Sequence, residues 1–133
     1  MKIKKNSAID DRKRDYACVV YPDSAKKDWI SIIADLKVPV FISPLHDQDV
    51  NPDGELKKPH YHVMFMFEGK KSEDQFDFIK SLFGGVGNEL ILSRKGYARY
   101  LCHLDNPEKA QYHISEVISL CGANYCFFIV STT

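Results

Sequence analysis

Two histidines stand one residue apart at the head of an apolar segment. The segment LKKPHYHVMFMF covers residues 56–67 and contains His60 and His62. Successive side chains of a β-strand point to opposite faces of the sheet, so these two imidazoles share one face, roughly 6–7 Å apart along the strand. A polar, turn-rich segment upstream contributes His46 and Asp49. If the two segments form a hairpin, it brings three imidazoles and a carboxylate together.

This set of side chains predicts a metal site. Three nitrogen ligands and one carboxylate suit a divalent transition metal such as Mn²⁺ or Zn²⁺ better than Mg²⁺, which prefers oxygen ligands. A water or substrate oxygen would take the open position. Each histidine alone could equally be a core residue with satisfied hydrogen bonds, and an H-x-H pair also occurs in metal-dependent oxygenases and hydrolases. The metal prediction therefore depends on the group His46, Asp49, His60 and His62.

A second chemically suggestive segment, SRKGYARYLCHLDNPEKAQYH, covers residues 93–113. On a helix, Tyr100 and His103 are three residues apart and nearly aligned. The tyrosines of this segment could simply pack against the sheet with their hydroxyls hydrogen-bonded. Alternatively, one hydroxyl faces the metal, where a deprotonated tyrosine can act as a nucleophile. Neighbouring basic side chains, as a phosphate substrate would require, are Arg94, Lys95 and Arg99.

The elements that must position these residues follow from hydrophobic periodicity and turn signals. The pattern predicts strands at 15–21, 38–43, 60–67 and 88–92, and helices at 24–37, 72–83, 94–104 and 114–120. Residues 125–130 (YCFFIV) are expected to be an apolar strand or an interface segment. The order predicts an α+β fold, an antiparallel-dominated sheet with helices packed on it around a ferredoxin-like β-α-β-β-α-β core.

Length and composition favour one domain. The 133 residues carry 18 Lys and Arg against 18 Asp and Glu, so the net charge argues against a strongly basic nucleic-acid-binding domain. Residues 1–14 hold six of those basic residues and are expected to form a flexible basic arm, with a single domain over 15–133. No membrane span or secretory signal is evident. The four cysteines form no Cys-x-x-Cys spacing, so we expect reduced thiols and a cytoplasmic location.

Three motifs together resemble a known family. SPLHDQD, KKPHYHVMFMF and ARYLCHLDNPEKAQY, in this order and spacing, are similar to the plasmid-type rolling-circle replication initiators of the HUH endonucleases. The resemblance covers residues 16–112. It implies that His60 and His62 are the paired histidines of the HUH motif, that His46 and Asp49 are further metal ligands, and that Tyr100 is the nucleophile. It also implies a nuclease and origin-binding domain, with Mn²⁺ the favoured metal and Mg²⁺, Co²⁺ or Zn²⁺ as alternatives.

The implied activity is cleavage of one strand at the double-strand origin of a plasmid, at a nick site exposed in a hairpin. The tyrosine would stay joined to the 5′ end and leave a 3′-hydroxyl to prime rolling-circle synthesis by host replication proteins. A homo-oligomer is a further expectation. Members of the family commonly continue beyond the nuclease domain into an oligomerisation segment, so ring assembly is not expected of these 133 residues alone. The expected DNA contacts are local and lie on the basic arm and on Lys57, Lys58, Arg94, Lys95, Arg99 and Lys109.

The residue pattern alone does not exclude other functions. Within the same chemistry, the chain could be a mobilisation relaxase or a transposase nuclease domain. It could also be an origin-binding module without nicking activity, or a metalloenzyme that acts on a small molecule. Formation of a covalent adduct between a tyrosine and DNA would separate the nuclease from the other two classes.

Overall fold

The computed structural model describes residues 10–130, and these form one antiparallel sheet with helices on both faces. The strands are β1 (Lys13–Val20), β2 (Val40–Ile42), β3 (Tyr61–Lys71), β4 (Val86–Glu89) and β5 (Ile118–Leu120). The helices are α1 (Trp29–Asp35), α2 (Glu73–Phe83), α3 (Arg94–Tyr100) and α4 (Tyr125–Val130).

The strand order is β4-β1-β3-β2-β5, and every pairing is antiparallel. β3 lies at the centre, as expected for a strand that is apolar on both faces. The first four strands with α1 and α2 form the ferredoxin-like core. The predicted α+β class, with helices packed on an antiparallel sheet, is confirmed.

Alternation along β3 divides the interior into two layers. Val63, Phe65 and Phe67 pack with α1 and α2 on one face of the sheet. Met64 and Met66 pack with α3 and α4 on the other. His60 and His62 precede the two methionines at the same spacing, so they belong to the face that α3 covers.

α2 shows why some elements could be predicted closely. Ser72 accepts a hydrogen bond from the Gln75 backbone, and the Gln75 side chain accepts one from the Ser72 backbone, which completes a capping box. Gly84 ends the helix with φ 92°, in the left-handed region where a Cβ would be strained. The predicted bounds of 72–83 differ from the observed helix by one residue.

α1 is shorter than the predicted helix 24–37. Lys26 donates its backbone N–H to the carbonyl of Phe83, at the end of α2. This tertiary bond attaches the segment before α1 to the end of α2, and turns and a bend over residues 22–28 replace the first part of the predicted helix. The helix therefore begins later than predicted, and Asp28 precedes its first residue.

Near the carboxyl end, the helix predicted for residues 114–120 and the strand considered for residues 125–130 are both wrong. Residues 114–120 are not a helix; a short 3-10 turn at Ile114–Glu116 leads into β5, which pairs with β2 at the edge of the sheet. Residues 125–130 are not a strand but α4. Tyr125 and Ile129, four residues apart, face the core, and the Tyr125 hydroxyl donates to the Ala98 carbonyl of α3.

The basic arm predicted for residues 1–14 lies mostly outside the described residues, which begin at Asp10; Lys13 and Arg14 already belong to β1. Within residues 10–130, no helix has the length and apolar character needed to cross a membrane.

Candidate metal and tyrosine site

The connection between β2 and β3 brings His46 opposite His60. The two residues exchange backbone hydrogen bonds of 2.8 and 3.2 Å, an isolated bridge that extends the β2–β3 pairing. Further along, the Lys57 backbone donates to the Asp49 carbonyl over 2.8 Å, which closes the polar loop. The expected juxtaposition of His46 with the two strand histidines is therefore present.

Four side chains converge at this end of the sheet. His46, Asp49, His60 and His62 each offer one potential ligand atom, and these atoms lie within 4.8 Å of one another. Ligands on opposite sides of a transition-metal ion stand about 4 Å apart, so the spacing suits a common ion after small adjustments. All four side chains are buried or nearly so, with Asp49 9% exposed.

Each imidazole already uses one ring nitrogen for a protein acceptor. His46 Nε2 donates to the Leu101 carbonyl over 2.7 Å, and His60 Nδ1 donates to the Lys58 carbonyl over 2.7 Å. His62 Nδ1 donates to Glu89 Oε1 over 2.7 Å. These bonds fix the ring orientations and leave one nitrogen per ring, which is how metal-binding histidines are usually held.

The geometry of Asp49 favours a cation. Its Oδ2 lies 2.9 Å from His46 Nδ1 and 3.4 Å from His60 Nε2, the two nitrogens left without a proton when the rings are neutral. Burial lowers the pKa of His46 to about 4 and also lowers the pKa of His60. At neutral pH, electron pairs on two nitrogens and a carboxylate oxygen therefore face one another. A positive ion between them would remove the repulsion, so this cluster could hold a divalent metal.

Glu89 supports the cluster from β4. Besides accepting from His62, it accepts a hydrogen bond from the Tyr97 hydroxyl of α3. Burial alone would raise the pKa of Glu89, but the hydrogen bonds from His62 and Tyr97 outweigh it and the pKa is lowered. The carboxylate therefore stays ionised and holds the His62 ring in place.

Tyr112 supports the opposite side. Its ring stacks on His46 with centroids 4.2 Å apart, and its hydroxyl donates to Asp49 Oδ1 over 2.5 Å. Burial alone would raise the pKa of Asp49, but the pKa is lowered, and the hydrogen bond from Tyr112 is the largest contribution that lowers it. Sequence reasoning assigned no role to Glu89 or Tyr112, because neither has a characteristic spacing from the histidines and only the tertiary fold brings them near.

Tyr100, at the end of α3, lies beside the cluster. Its ring centroid is 5.4 Å from that of His62, and it shares with His60 and His62 an open pocket of about 320 Å³. Burial, and then the charges of Glu89 and Asp49, raise the pKa of Tyr100. Its hydroxyl has no hydrogen-bond partner among residues 10–130. By contrast, the Tyr97 hydroxyl donates a hydrogen bond to Glu89.

The six basic residues expected to contact DNA divide into two groups. Lys57 and Lys58 line the same pocket as Tyr100, and the Lys109 ammonium lies 5.5 Å from the Tyr100 ring centroid.

The other three lie outside this pocket. Arg94 binds Asp15 over 2.8 Å, and Arg99 binds Asp105 over 2.9 Å and the Ile129 carbonyl. The hydrogen bond from Arg99, with a smaller contribution from the charge of Lys95, lowers the pKa of Asp105.

The chain matches the family model described as plasmid replication protein, origin binding domain, over residues 8–125. A replication protein RepB from Lactiplantibacillus plantarum is 44% identical over 111 residues, which is 84% of this chain and 50% of that protein. A replication protein from Staphylococcus aureus is 36% identical over 130 residues, which is 98% of this chain and 63% of that protein. The chain thus spans 50% and 63% of the length of these two curated relatives. Because the family model covers most of its residues, the chain belongs to the family of plasmid replication protein origin-binding domains.

Proposed function

We propose that the protein is a metal-dependent, site-specific single-strand DNA endonuclease and strand transferase that nicks the double-strand origin of a plasmid and so initiates rolling-circle replication. The observation that carries this proposal is the pocket that Tyr100 shares with three members of the four-residue cluster, with the Tyr100 and His62 rings 5.4 Å apart. A nucleophile and a cation site this close can act on one phosphate group. Membership in a plasmid replication family supports DNA as the substrate.

In the proposed reaction, the Tyr100 oxygen attacks the scissile phosphorus. The tyrosine hydroxyl loses its proton as its oxygen bonds to phosphorus, the bond from phosphorus to the 3′-oxygen breaks, and the 3′-oxygen takes up a proton and leaves as a hydroxyl. The phosphate at the 5′ end stays on Tyr100. One phosphate ester replaces another, so the reverse reaction rejoins the strand without a nucleotide cofactor.

His46, Asp49, His60 and His62 would hold the ion, for which we propose Mn²⁺. When bound, a divalent cation supplies Lewis acidity that neutralises charge on a phosphate oxygen and helps to orient the phosphate. Because burial, and then the charges of Glu89 and Asp49, raise the pKa of Tyr100, positive charge in the pocket would favour loss of the tyrosine proton. Lys109 contributes part of that charge from its position near the Tyr100 ring.

The test is formation of a covalent adduct. The protein is incubated with Mn²⁺ and a single-stranded oligonucleotide that contains the nick region of its plasmid origin, and the products are separated under denaturing conditions. Wild type is expected to form a protein–DNA adduct at the new 5′ end. Tyr100→Phe is expected to form none, while it still binds Mn²⁺ because the four ligands are unchanged.

Two variants locate the reactive tyrosine. Tyr21→Phe removes another hydroxyl that lines the pocket and should leave adduct formation intact, and Tyr112→Phe should reduce its rate without abolishing it. An adduct that persists in Tyr100→Phe and disappears in Tyr112→Phe would assign the nucleophile to Tyr112 instead. If wild type forms no adduct with any divalent metal yet binds the oligonucleotide, the protein is an origin-binding module.

A further inference from the structure

Tyr21 is an aromatic side chain of the pocket that the proposed reaction does not use. In the β1–β3 pairing, Val19 lies opposite His62 and Val20 opposite Tyr61, so the next residue, Tyr21, comes level with His60. Its ring centroid is 6.2 Å from that of His60, and it lines the same pocket as Tyr100. One wall of the pocket is therefore a partly exposed phenol ring beside the four-residue cluster.

Packing does not account for the position of this ring. Tyr21 belongs to neither hydrophobic core cluster. Its hydroxyl has no hydrogen-bond partner within residues 10–130, whereas the hydroxyls of Tyr16 and Tyr125 each donate to a backbone carbonyl. The aromatic surface is thus available to a ligand.

The backbone beneath the ring is fixed. The Tyr21 carbonyl accepts hydrogen bonds from the backbone N–H groups of Ser24 and Ala25, at 3.0 and 2.9 Å. A ring on a fixed backbone loses little conformational freedom when a flat ligand stacks on it.

The charge around the ring indicates what that ligand is. The Lys58 ammonium lies 4.8 Å from the Tyr21 ring centroid, and its other contact is an exposed ion pair with Asp23 at 3.1 Å. Lys57 lines the same pocket. Proteins that bind single-stranded nucleic acid combine aromatic rings, on which bases stack, with cations that follow the backbone phosphates.

We propose that Tyr21 is a stacking platform for a nucleobase of single-stranded DNA next to the phosphate that Tyr100 attacks. The inference rests on the proposed function for the identity of that phosphate. A base on the ring takes the place of the Lys58 contact, and the exposed lysine turns to a neighbouring phosphate. The DNA strand is then held by a base at Tyr21 and by the attacked phosphate at the proposed metal site.

The experiment compares two single-stranded probes in the presence of Mn²⁺, an oligothymidylate of about 12 nucleotides and an abasic backbone of the same length and charge. Fluorescence anisotropy gives the affinity of each protein for each probe. Wild type is expected to prefer the thymidylate. Tyr21→Ala should weaken thymidylate binding by roughly ten-fold and leave abasic binding unchanged, while Tyr21→Phe should keep the wild-type preference. Phe78→Ala, which removes an exposed ring from α2, is the matched control and should change neither affinity.

Equal weakening of both probes by Tyr21→Ala would overturn the proposal, as would a wild type with no preference between them. Calorimetric titration with Mn²⁺ alone checks the cluster: a several-fold loss of metal affinity in Tyr21→Ala would show that the ring serves to hold His60, which also overturns it. Failure of the proposed function is recognised separately, by the absence of a covalent adduct in wild type. A base preference that depends on Tyr21 can be measured whether or not that adduct forms.

Discussion

At the scale of single residues, the site depends on which groups hold the imidazoles. Backbone carbonyls hold His46 and His60, whereas a carboxylate from another strand holds His62. A carboxylate acceptor makes the imidazole a stronger electron-pair donor than a carbonyl does, because its charge stabilises positive charge on the ring. Glu89 should therefore affect metal affinity although it is not itself one of the four clustered residues.

We predict that Glu89→Ala weakens Mn²⁺ binding by about 10- to 100-fold, the usual effect of removing such a supporting group. Glu89→Gln should have a smaller effect, because its amide oxygen can still accept from His62 Nδ1. Isothermal titration calorimetry with Mn²⁺ measures both. Glu68→Gln, an exposed glutamate at the far end of β3, controls for the change in charge. Wild-type affinity in Glu89→Ala would contradict the prediction.

Single residues also show which part of the site could be predicted and which could not. The positions of His46, Asp49, His60 and His62 followed from strand alternation and one hairpin, both of which are local patterns. Glu89 is separated from His62 by 27 residues, and its role depends on β4 and β3 both flanking β1. No spacing in the sequence encodes that contact, so side-chain pattern alone could not find it.

At the scale of elements, α4 holds α3 in place. Ile129 is 4% exposed and packs in the cluster that contains Tyr97 and Leu101 of the tyrosine segment. Tyr125 adds a 2.6 Å hydrogen bond to the Ala98 carbonyl. Since α3 ends at Tyr100, the packing of α4 helps to position the proposed nucleophile.

We predict that Ile129→Ala lowers the free energy of unfolding by about 2–4 kcal/mol, because it leaves a cavity in this cluster. Phe127→Ala removes a larger side chain from the same helix, but Phe127 is 67% exposed, so the change should be within about 0.5 kcal/mol. Urea denaturation of the two variants provides the comparison. Similar losses for both would mean that α4 does not pack through the face that carries Ile129.

The elements also explain which parts of the fold could be predicted. β3 and α2 carry strong local signals, alternation in one and a capping box in the other. β5 has three residues and is a strand because it pairs with β2. A segment this short has no alternation from which a strand could be predicted. In YCFFIV every residue is apolar, which conceals the four-residue spacing of Tyr125 and Ile129 and made a strand equally consistent with the pattern.

At the scale of the whole molecule, the formal charge of zero conceals an uneven distribution. The guanidinium groups of Arg12, Arg94 and Arg99 are each paired with an aspartate. Among the described residues, Lys57 and Lys109 have no carboxylate within 4 Å, and both lie beside Tyr100. Lys57 and Lys109 thus place positive charge that a ligand can use at the proposed active site, so DNA binding there can depend on salt although the net charge is zero.

We predict that replacing Lys57 and Lys58 together by Gln weakens binding of a single-stranded oligonucleotide at low salt. The slope of log affinity against log salt should become shallower by about 0.7 for each phosphate that the variant no longer binds, because fewer counterions are released. The exposed pair Lys26 and Lys27, which precedes α1, offers a control with the same change in charge. Replacing that pair by Gln should leave the slope unchanged.

If both double variants change the slope equally, overall charge governs binding; if neither does, the strand does not pass Lys57 and Lys58. Only a change confined to the pocket pair indicates that the phosphates bind beside Tyr100.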